Sequence, residues 1–204
     1  AYYLHYAQEG HAVRAMDALT GYARGLVRCG IPYLVVEEAH LDALDGLKAV
    51  FLPRCIVTSE AVEEKLSAYV KEGGTLVCES ECGAYNPQGL YRYPEDRFLA
   101  KLCGAREIGR RQLKTDTVAL DLNGERFELA ANQWLTPYTS ADGEVFAEHA
   151  DGPLAVRVPA GEGQVVLVGT YLGDAHRQRF NAGFERFLEH VARGAGWKPE
   201  VKVV

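Results

Sequence analysis

Between Leu47 and Glu79 the chain alternates strand and helix with little slack, and this limits the folds open to it more than any other feature. Leu47–Leu52 is a short apolar run closed by Pro53. Ser59 and Glu60 then open a segment in which Val62, Leu66, Tyr69 and Val70 recur at helical spacing. Ser59 is an N-cap residue, and Gly73-Gly74 is the stop that favours a left-handed C-terminal turn. Thr75–Glu79 reads as the next strand. Two apolar strands joined through a helix lie parallel by a right-handed crossover. The same punctuation occurs upstream. Val13, Met16, Leu19, Ala23, Leu26 and Val27 share a helical face between His11 and Cys29, and Gly30 ends it. Pro32–Glu37 is a second apolar run of the kind buried on both faces of a parallel sheet. Residues 1–6 (AYYLHY) read as a strand ahead of the first helix.

Beyond Glu79 the pattern changes. A long loop rich in Gly, Asn, Pro and Tyr runs to Glu95, followed by a short helix around Asp96–Cys103. Loops of this length are usually functional or interfacial. From about 106 to 150 the chain is β-rich, with Thr117–Leu122, Arg126–Ala131 and Glu144–His149 separated by Asn123-Gly124 and Asp142-Gly143. Asn-Gly is a strong hairpin signal. Leu154–Val158 and Gln164–Gly169 form a further hairpin, and an amphipathic helix is expected from His176 to Arg193. The expected architecture is one α/β domain over 1–204. Its sheet is open and mostly parallel with helices on both faces, and it carries a β-rich insertion near 106–150.

Charge and cysteine usage exclude several functions. The 22 basic residues against 28 acidic ones give a net charge of −6, the wrong sign for binding a nucleic-acid backbone. No apolar run approaches the roughly 18 residues of a membrane span. The opening AYYLHYAQEGH lacks the basic start and apolar core of a signal peptide. Five cysteines, an odd number at irregular spacing, read as reduced thiols in a cytoplasmic protein. Cys78-x3-Cys82 has no partner pair for a metal. Gly161-Glu-Gly163 lacks the lysine and following helix of a phosphate loop, so no cofactor is expected.

Ligand sites in such sheets lie at the carboxyl ends of the strands, here Glu37-Glu38, Pro53–Cys55, Cys78–Cys82 and Thr170–Asp174. An enzymatic reading places a nucleophile at Cys78 or Cys82 with His176 as its base, the arrangement of class I glutamine amidotransferases. A nucleophile elbow needs small residues on both sides of the nucleophile. Cys78 has none. Cys82 has Gly83 after it but Ser80 where the first glycine belongs, and Tyr171–His176 lacks the expected His-Pro-Glu. Buried, unreactive thiols are the simpler reading. Glu79 and Glu81, two apart, would share one side of a strand, and Glu37-Glu38 sit at another strand end. Such paired carboxylates suit a glycosidase only at the right separation, and Arg54 is their expected partner. Tyr85, Tyr91 and Tyr93, with Trp134 and Tyr138 downstream, are read either as a contact surface for a sugar or protein, or as internal packing of the loop.

The segment from Leu41 to Gly89 resembles the middle, or trimerisation, domain of family 42 β-galactosidases. The shared elements are the strand Leu47–Pro53, the helix and double glycine Glu64–Gly74, and the Gly74-Thr-Leu-Val77 strand start. Pro153–Arg157, Gly161–Thr170 and Leu172-Gly173 are similar to that family's closing segment. The resemblance extends over roughly 12–196, and its motifs are structural. It implies a flavodoxin-like or class I amidotransferase-like fold that has lost its nucleophile. The family's catalytic glutamates belong to a separate (β/α)8 barrel of about 250 residues, so none transfers to this chain. The role implied by the resemblance is that of a non-catalytic assembly domain, which joins subunits as a homotrimer, contacts the parent's barrel and walls the cavity that receives a galactoside. The 80–95 loop is the expected contact surface, and Tyr85, Tyr91, Tyr93, Arg54, Glu79 and Glu81 are the expected binding or interface residues. The alternative is a free-standing amidotransferase-like or ThuA-like enzyme using Cys78 or Cys82 with His176. A weaker third reading gives the tyrosine-rich loop a carbohydrate-binding role.

Overall fold

A computed structural model describes residues 14–112, 117–122, 124–132, 134–139 and 142–198. The strand expected at 1–6 lies outside them. The elements are helix α1 (Arg14–Arg28), β1 (Ala49–Leu52), α2 (Glu60–Lys71), β2 (Thr75–Glu79) and α3 (Phe98–Cys103). Next come the two-residue strands β3 (Arg106–Glu107) and β4 (Arg111–Gln112), then β5 (Thr117–Leu122) and β6 (Glu125–Ala130). The chain closes with β7 (Trp134–Leu135), β8 (Tyr138–Thr139), β9 (Glu144–His149), β10 (Gly152–Ala160), β11 (Gly163–Val168), α4 (Gly173–Gln178) and α5 (Ala182–Gly194). A kinked 3-10 segment at Glu38–Leu44, broken at His40, precedes β1, and a single 3-10 turn at Pro94–Asp96 precedes α3.

The crossover from β1 through α2 to β2 forms as expected. Ala49 to Leu52 pair in parallel with Thr75 to Cys78, and the Ser59 side chain caps α2 by accepting from the Val62 amide. Among the described residues the main sheet has five strands in the order β1-β2-β11-β10-β9. It is mixed rather than mostly parallel: β1 with β2 and β2 with β11 are parallel, whereas β11 with β10 and β10 with β9 are antiparallel. The reason is local. Ala160 faces Gly163, so β10 and β11 are joined by a two-residue turn that can only return the chain antiparallel. Gly163 is required there, since a Cβ would lie 2.2 Å from the carbonyl oxygens of Gly74 and Val70.

Helices cover both faces. Leu76 and Cys78 pack with Val62, Leu66 and Val70 of α2, while Val77 packs with Tyr22 and Leu26 of α1 and Phe184, Phe187 and Leu188 of α5. The period-2 alternation along β2 therefore feeds two separate cores. The β-rich segment is less of an insertion than expected. The β5–β6 hairpin pairs from Thr117↔Ala130 to Leu122↔Glu125, but β9 joins the main sheet beside β10.

Two further expectations are corrected. Pro32–Glu37 pairs with no strand among the described residues, where Tyr33, Leu34 and Val35 are 46%, 52% and 58% exposed. The helix expected over 176–193 is two helices, α4 and α5, broken at Arg179–Asn181. Asn181 caps α5 by accepting from the Phe184 amide at 2.9 Å, and Phe180 is exposed rather than in the core. The cap outweighs an apolar periodicity that reads straight through it. No helix among the described residues is long and apolar enough to cross a membrane.

Candidate functional site

The carboxyl ends of β1, β2 and β11 converge on a buried polar cluster. Two residues there hold a left-handed backbone that side chains rarely adopt: Arg54 (φ 47°), just after β1, and Glu81 (φ 60°), just after β2. Such conformations cost on the order of 1 kcal/mol or more, so tertiary contacts must hold them. Glu79, the last residue of β2, supplies several of those contacts. Its Oε1 accepts from the Leu172 and Gly173 amides, each at 2.8 Å, and its Oε2 accepts from the Arg54 amide at 2.9 Å. One carboxylate thereby ties the ends of β1 and β2 to the start of α4.

Arg54 is fully buried. Its guanidinium lies 3.5 Å from Asp174 and stacks 3.7 Å from the centre of the Tyr171 ring. Asp174 also contacts Arg14 at 3.4 Å and accepts from Asn132 Nδ2 at 3.2 Å. Tyr171 donates its hydroxyl to Glu81 Oε2 at 2.5 Å, and Arg110 approaches Glu81 Oε1 at 3.7 Å. The Glu81 amide donates to Glu107 Oε1 at 2.6 Å, and Arg97 pairs with Glu107 Oε2 at 2.6 Å. Among the described residues, Glu79, Glu81, Glu107 and Asp174 thus face Arg14, Arg54, Arg97 and Arg110, a balance that allows charges to be buried.

Burial pushes the Glu79 carboxyl up to about 7 against the pull of its three amide donors, and the Asp174 charge adds to the rise. Burial also raises Glu81 and Asp174. Raised carboxyls in a cleft would suggest acid–base catalysis. These, however, are between 0% and 6% exposed, and a general acid must reach the atom it protonates. The cluster works as a structural tie.

The residues singled out in the sequence separate accordingly. Cys78 and Cys82 belong to the core beneath α2. The His176 ring packs against Phe180 and Phe184, and Phe184 belongs to the opposite core. A cysteine–histidine dyad is therefore not assembled, because the sheet stands between its members. His176 Nδ1 accepts from the Asn181 amide at 3.3 Å, and burial lowers its basicity. The elbow-like backbone falls on Glu81 instead of a cysteine. Glu79 and Glu81 do not share a strand face, since β2 ends at Glu79. Glu37 and Glu38 are exposed, the first ahead of a 3-10 turn and the second within it, without the strand expected before them. Arg54 does partner carboxylates, through its amide to Glu79 and its guanidinium to Asp174. No group of three or more His, Cys, Asp or Glu among the described residues is placed to hold a metal ion.

The tyrosine loop is built rather than loose. The Asn86 side chain accepts from the Gln88 and Leu90 amides, and the Asn86 amide donates to the Leu90 carbonyl at 3.0 Å. Tyr85, Tyr91 and Tyr93 stack edge to face at 5.4 and 5.5 Å, with Arg97 donating to the Tyr91 hydroxyl. Tyr85 is half-buried, while Leu90, Tyr91 and Tyr93 are 67%, 47% and 64% exposed. Packing and presentation therefore coexist in one loop. Downstream, Tyr138 is buried in the core and Trp134 lies under Arg110, so neither extends the exposed surface. Sequence reasoning missed Arg14 and Asn132, whereas Tyr171 and Asp174 lie in the strand end Thr170–Asp174 that it had marked without giving either residue a role.

Comparison with known proteins agrees with this geometry. No curated protein sequence matches the chain. Its fold is similar to a GH42 beta-galactosidase from G. stearothermophilus at 21% identity, covering 94% of this chain and 27% of that one (TM-score 0.75). It is likewise similar to the beta-galactosidase of Bacillus circulans sp. alkalophilus at 16% identity, covering 92% and 28% (TM-score 0.72). A cytoplasmic protein from Salmonella typhimurium LT2 has 15% identity, covering 89% and 86% (TM-score 0.57). The chain spans about a quarter of the length of those two beta-galactosidases, and at these identities the likeness is one of fold. The family model described as the beta-galactosidase trimerisation domain matches residues 4–195, and the chain belongs to that family.

Proposed function

We propose that this chain is the non-catalytic assembly domain of a β-galactosidase-like glycoside hydrolase, joining subunits as a homotrimer and walling the cavity that receives a galactoside. The observation that carries the reading is the family match over residues 4–195. The closed polar cluster supports it: the strand ends that hold a nucleophile in an amidotransferase-like domain are here occupied by Glu79, Glu81 and Arg54, all hydrogen-bonded inward. We read the whole of 1–204 as one such domain, cytoplasmic and descended from an amidotransferase-like α/β fold. The subunit contact is the 80–95 loop. Its Asn86 turn fixes the backbone, so Leu90, Tyr91 and Tyr93 present apolar surface at low entropic cost.

Light scattering over a concentration series tests the proposal. The expected result is a concentration-dependent trimer that Tyr91→Ser with Tyr93→Ser weakens at least about tenfold, since central aromatic anchors commonly contribute more than about 1 kcal/mol each. A trimer unaffected by both substitutions would move the contact elsewhere. A monomer at every concentration, in the parent enzyme as well as in this chain, would overturn the assembly role.

A further inference from the structure

We propose that Arg97 presents the Tyr91 hydroxyl as a fixed hydrogen-bond donor to an oxygen acceptor on a second copy of this chain. This rests on the assembly role proposed above and names the atom that selects the partner. Tyr91 stands in the middle of the ring ladder, 5.4 Å from Tyr85 and 5.5 Å from Tyr93, and about half of it is exposed. Its hydroxyl oxygen accepts from Arg97 Nη2 at 3.1 Å. A phenol has one hydrogen to give, and an oxygen that accepts from a guanidinium turns that hydrogen away from the guanidinium. No acceptor for it lies among the described residues, so it is left for whatever packs against the loop.

Arg97 can hold this geometry because each nitrogen of its guanidinium is engaged. Nε donates to the Arg92 carbonyl at 3.2 Å and Nη1 to Glu107 Oε2 at 2.6 Å, and the residue is only 4% exposed. Glu107 is itself fixed. It pairs with Tyr138 between β3 and β8, and its other oxygen accepts from the Glu81 amide. The backbone beside Tyr91 is clamped as well: the Arg92 amide donates to the Ala84 carbonyl at 2.8 Å, and Arg92 Nη1 donates to Glu63 Oε1 of α2 at 2.6 Å.

The phenol therefore meets a partner with both ring and hydroxyl already placed, and little rotamer freedom is left to lose. A hydroxyl that accepts from a cation is also the stronger donor, because each bond polarises the next. Tyr93 differs. It is 64% exposed, and among the described residues its side chain is held by ring contact with Tyr91 and by no hydrogen bond. Both tyrosines supply apolar area, while Tyr91 alone supplies a directed bond. In a cyclic trimer the contact is heterologous, so each Tyr91 meets a different patch on its neighbour and the bond is made three times.

Tyr91→Phe removes the hydroxyl and keeps the ring, which separates this bond from packing. Light scattering over a concentration series, on this chain and on the parent enzyme, is expected to show a loss of about tenfold per contact, the effect of leaving the neighbour's acceptor unpaired. Over three contacts this lowers the trimer association constant about a thousandfold and raises the midpoint concentration about thirtyfold. Tyr93→Phe is expected to move the midpoint less than about twofold. Arg97→Lys keeps the charge without the fork, and in that background a further Tyr91→Phe is expected to be nearly silent, the mark of coupling between the two side chains. Hydrogen exchange at the Arg92 amide is expected to be the same in Tyr91→Phe as in the unaltered chain. An unchanged midpoint in Tyr91→Phe overturns the proposal even if Arg97→Lys fails to fold. If Tyr91→Ser with Tyr93→Ser still weakens the trimer, the loop remains the contact without this bond. Equal losses from Tyr91→Phe and Tyr93→Phe overturn it, as does lost protection at Arg92, which would make the hydroxyl an internal tie. A monomer at every concentration in both proteins overturns the bond together with the assembly role.

Discussion

Replacing Glu79 by Gln should remove a pH dependence that the fold builds in at one buried carboxyl. Glu79 titrates near 4.5 when unfolded and is pushed up to about 7 in the fold. Its folded pKa is therefore the higher one. The folded state holds the proton more tightly, and the resulting stabilisation is complete below about 4.5 and lost as the pH rises through about 7. The difference of about 2.5 pH units, at ~1.4 kcal/mol each, gives ~3 kcal/mol. Gln does not titrate. It keeps an acceptor for the Leu172 and Gly173 amides but turns an NH2 towards the Arg54 amide, a pH-independent loss of about 1–3 kcal/mol. Urea unfolding of both proteins between about pH 4.5 and pH 8, with linear extrapolation, measures the stability gap between them. Wild type minus variant should fall by ~3 kcal/mol across that range, most steeply between about pH 5 and 7. A constant gap would refute the reasoning. A gap that grew with pH would mean that the three amide donors hold the carboxylate ionised and outweigh its burial.

Three other outcomes are expected. Gly21→Ala would place a Cβ 1.8 Å from the Gly173 carbonyl oxygen, where α1 meets α4, and should cost about 1–3 kcal/mol in thermal or urea unfolding. Arg54→Met removes a fully buried partner of Asp174 and the stacking on Tyr171, and should lower stability by about 3 kcal/mol or more in urea unfolding. Iodoacetamide at neutral pH should label all five thiols of the native protein slowly. Cys78 and Cys82 are buried, burial holds Cys29 at about 12 and raises Cys103, and the bond to Cys82 together with burial raises Cys55. One rapidly labelled cysteine by mass spectrometry would contradict this and revive a nucleophile.

How much was legible depended on how local each signal is. The β1–α2–β2 unit could be read residue by residue, because Ser59, the apolar face of α2 and Gly73-Gly74 act within a few positions of one another. The β5–β6 and β10–β11 hairpins were legible for the same reason. The break between α4 and α5 was not, since an apolar periodicity continued across Asn181 and only the cap geometry shows where the second helix starts. Pro32–Glu37 has the composition of a buried strand but no neighbour among the described residues, and a strand exists only where another chain segment completes its ladder.

The sequence by itself determined an α/β chain with a crossover at its centre, two helix-covered faces, a broken nucleophile elbow and a family assignment, because these rest on short-range pattern and on what is missing from a motif. The tertiary structure alone decided the rest. It set the mixed direction of the sheet, and it placed Cys78 in one core and His176 against a phenylalanine of the other. It also gathered Arg14, Arg54, Glu79, Asn132, Tyr171 and Asp174 from five parts of the chain into one neutralised cluster. Charge pairing in a low-dielectric interior depends on distance in space, and separations of up to 160 positions along the chain leave no trace of it in the sequence.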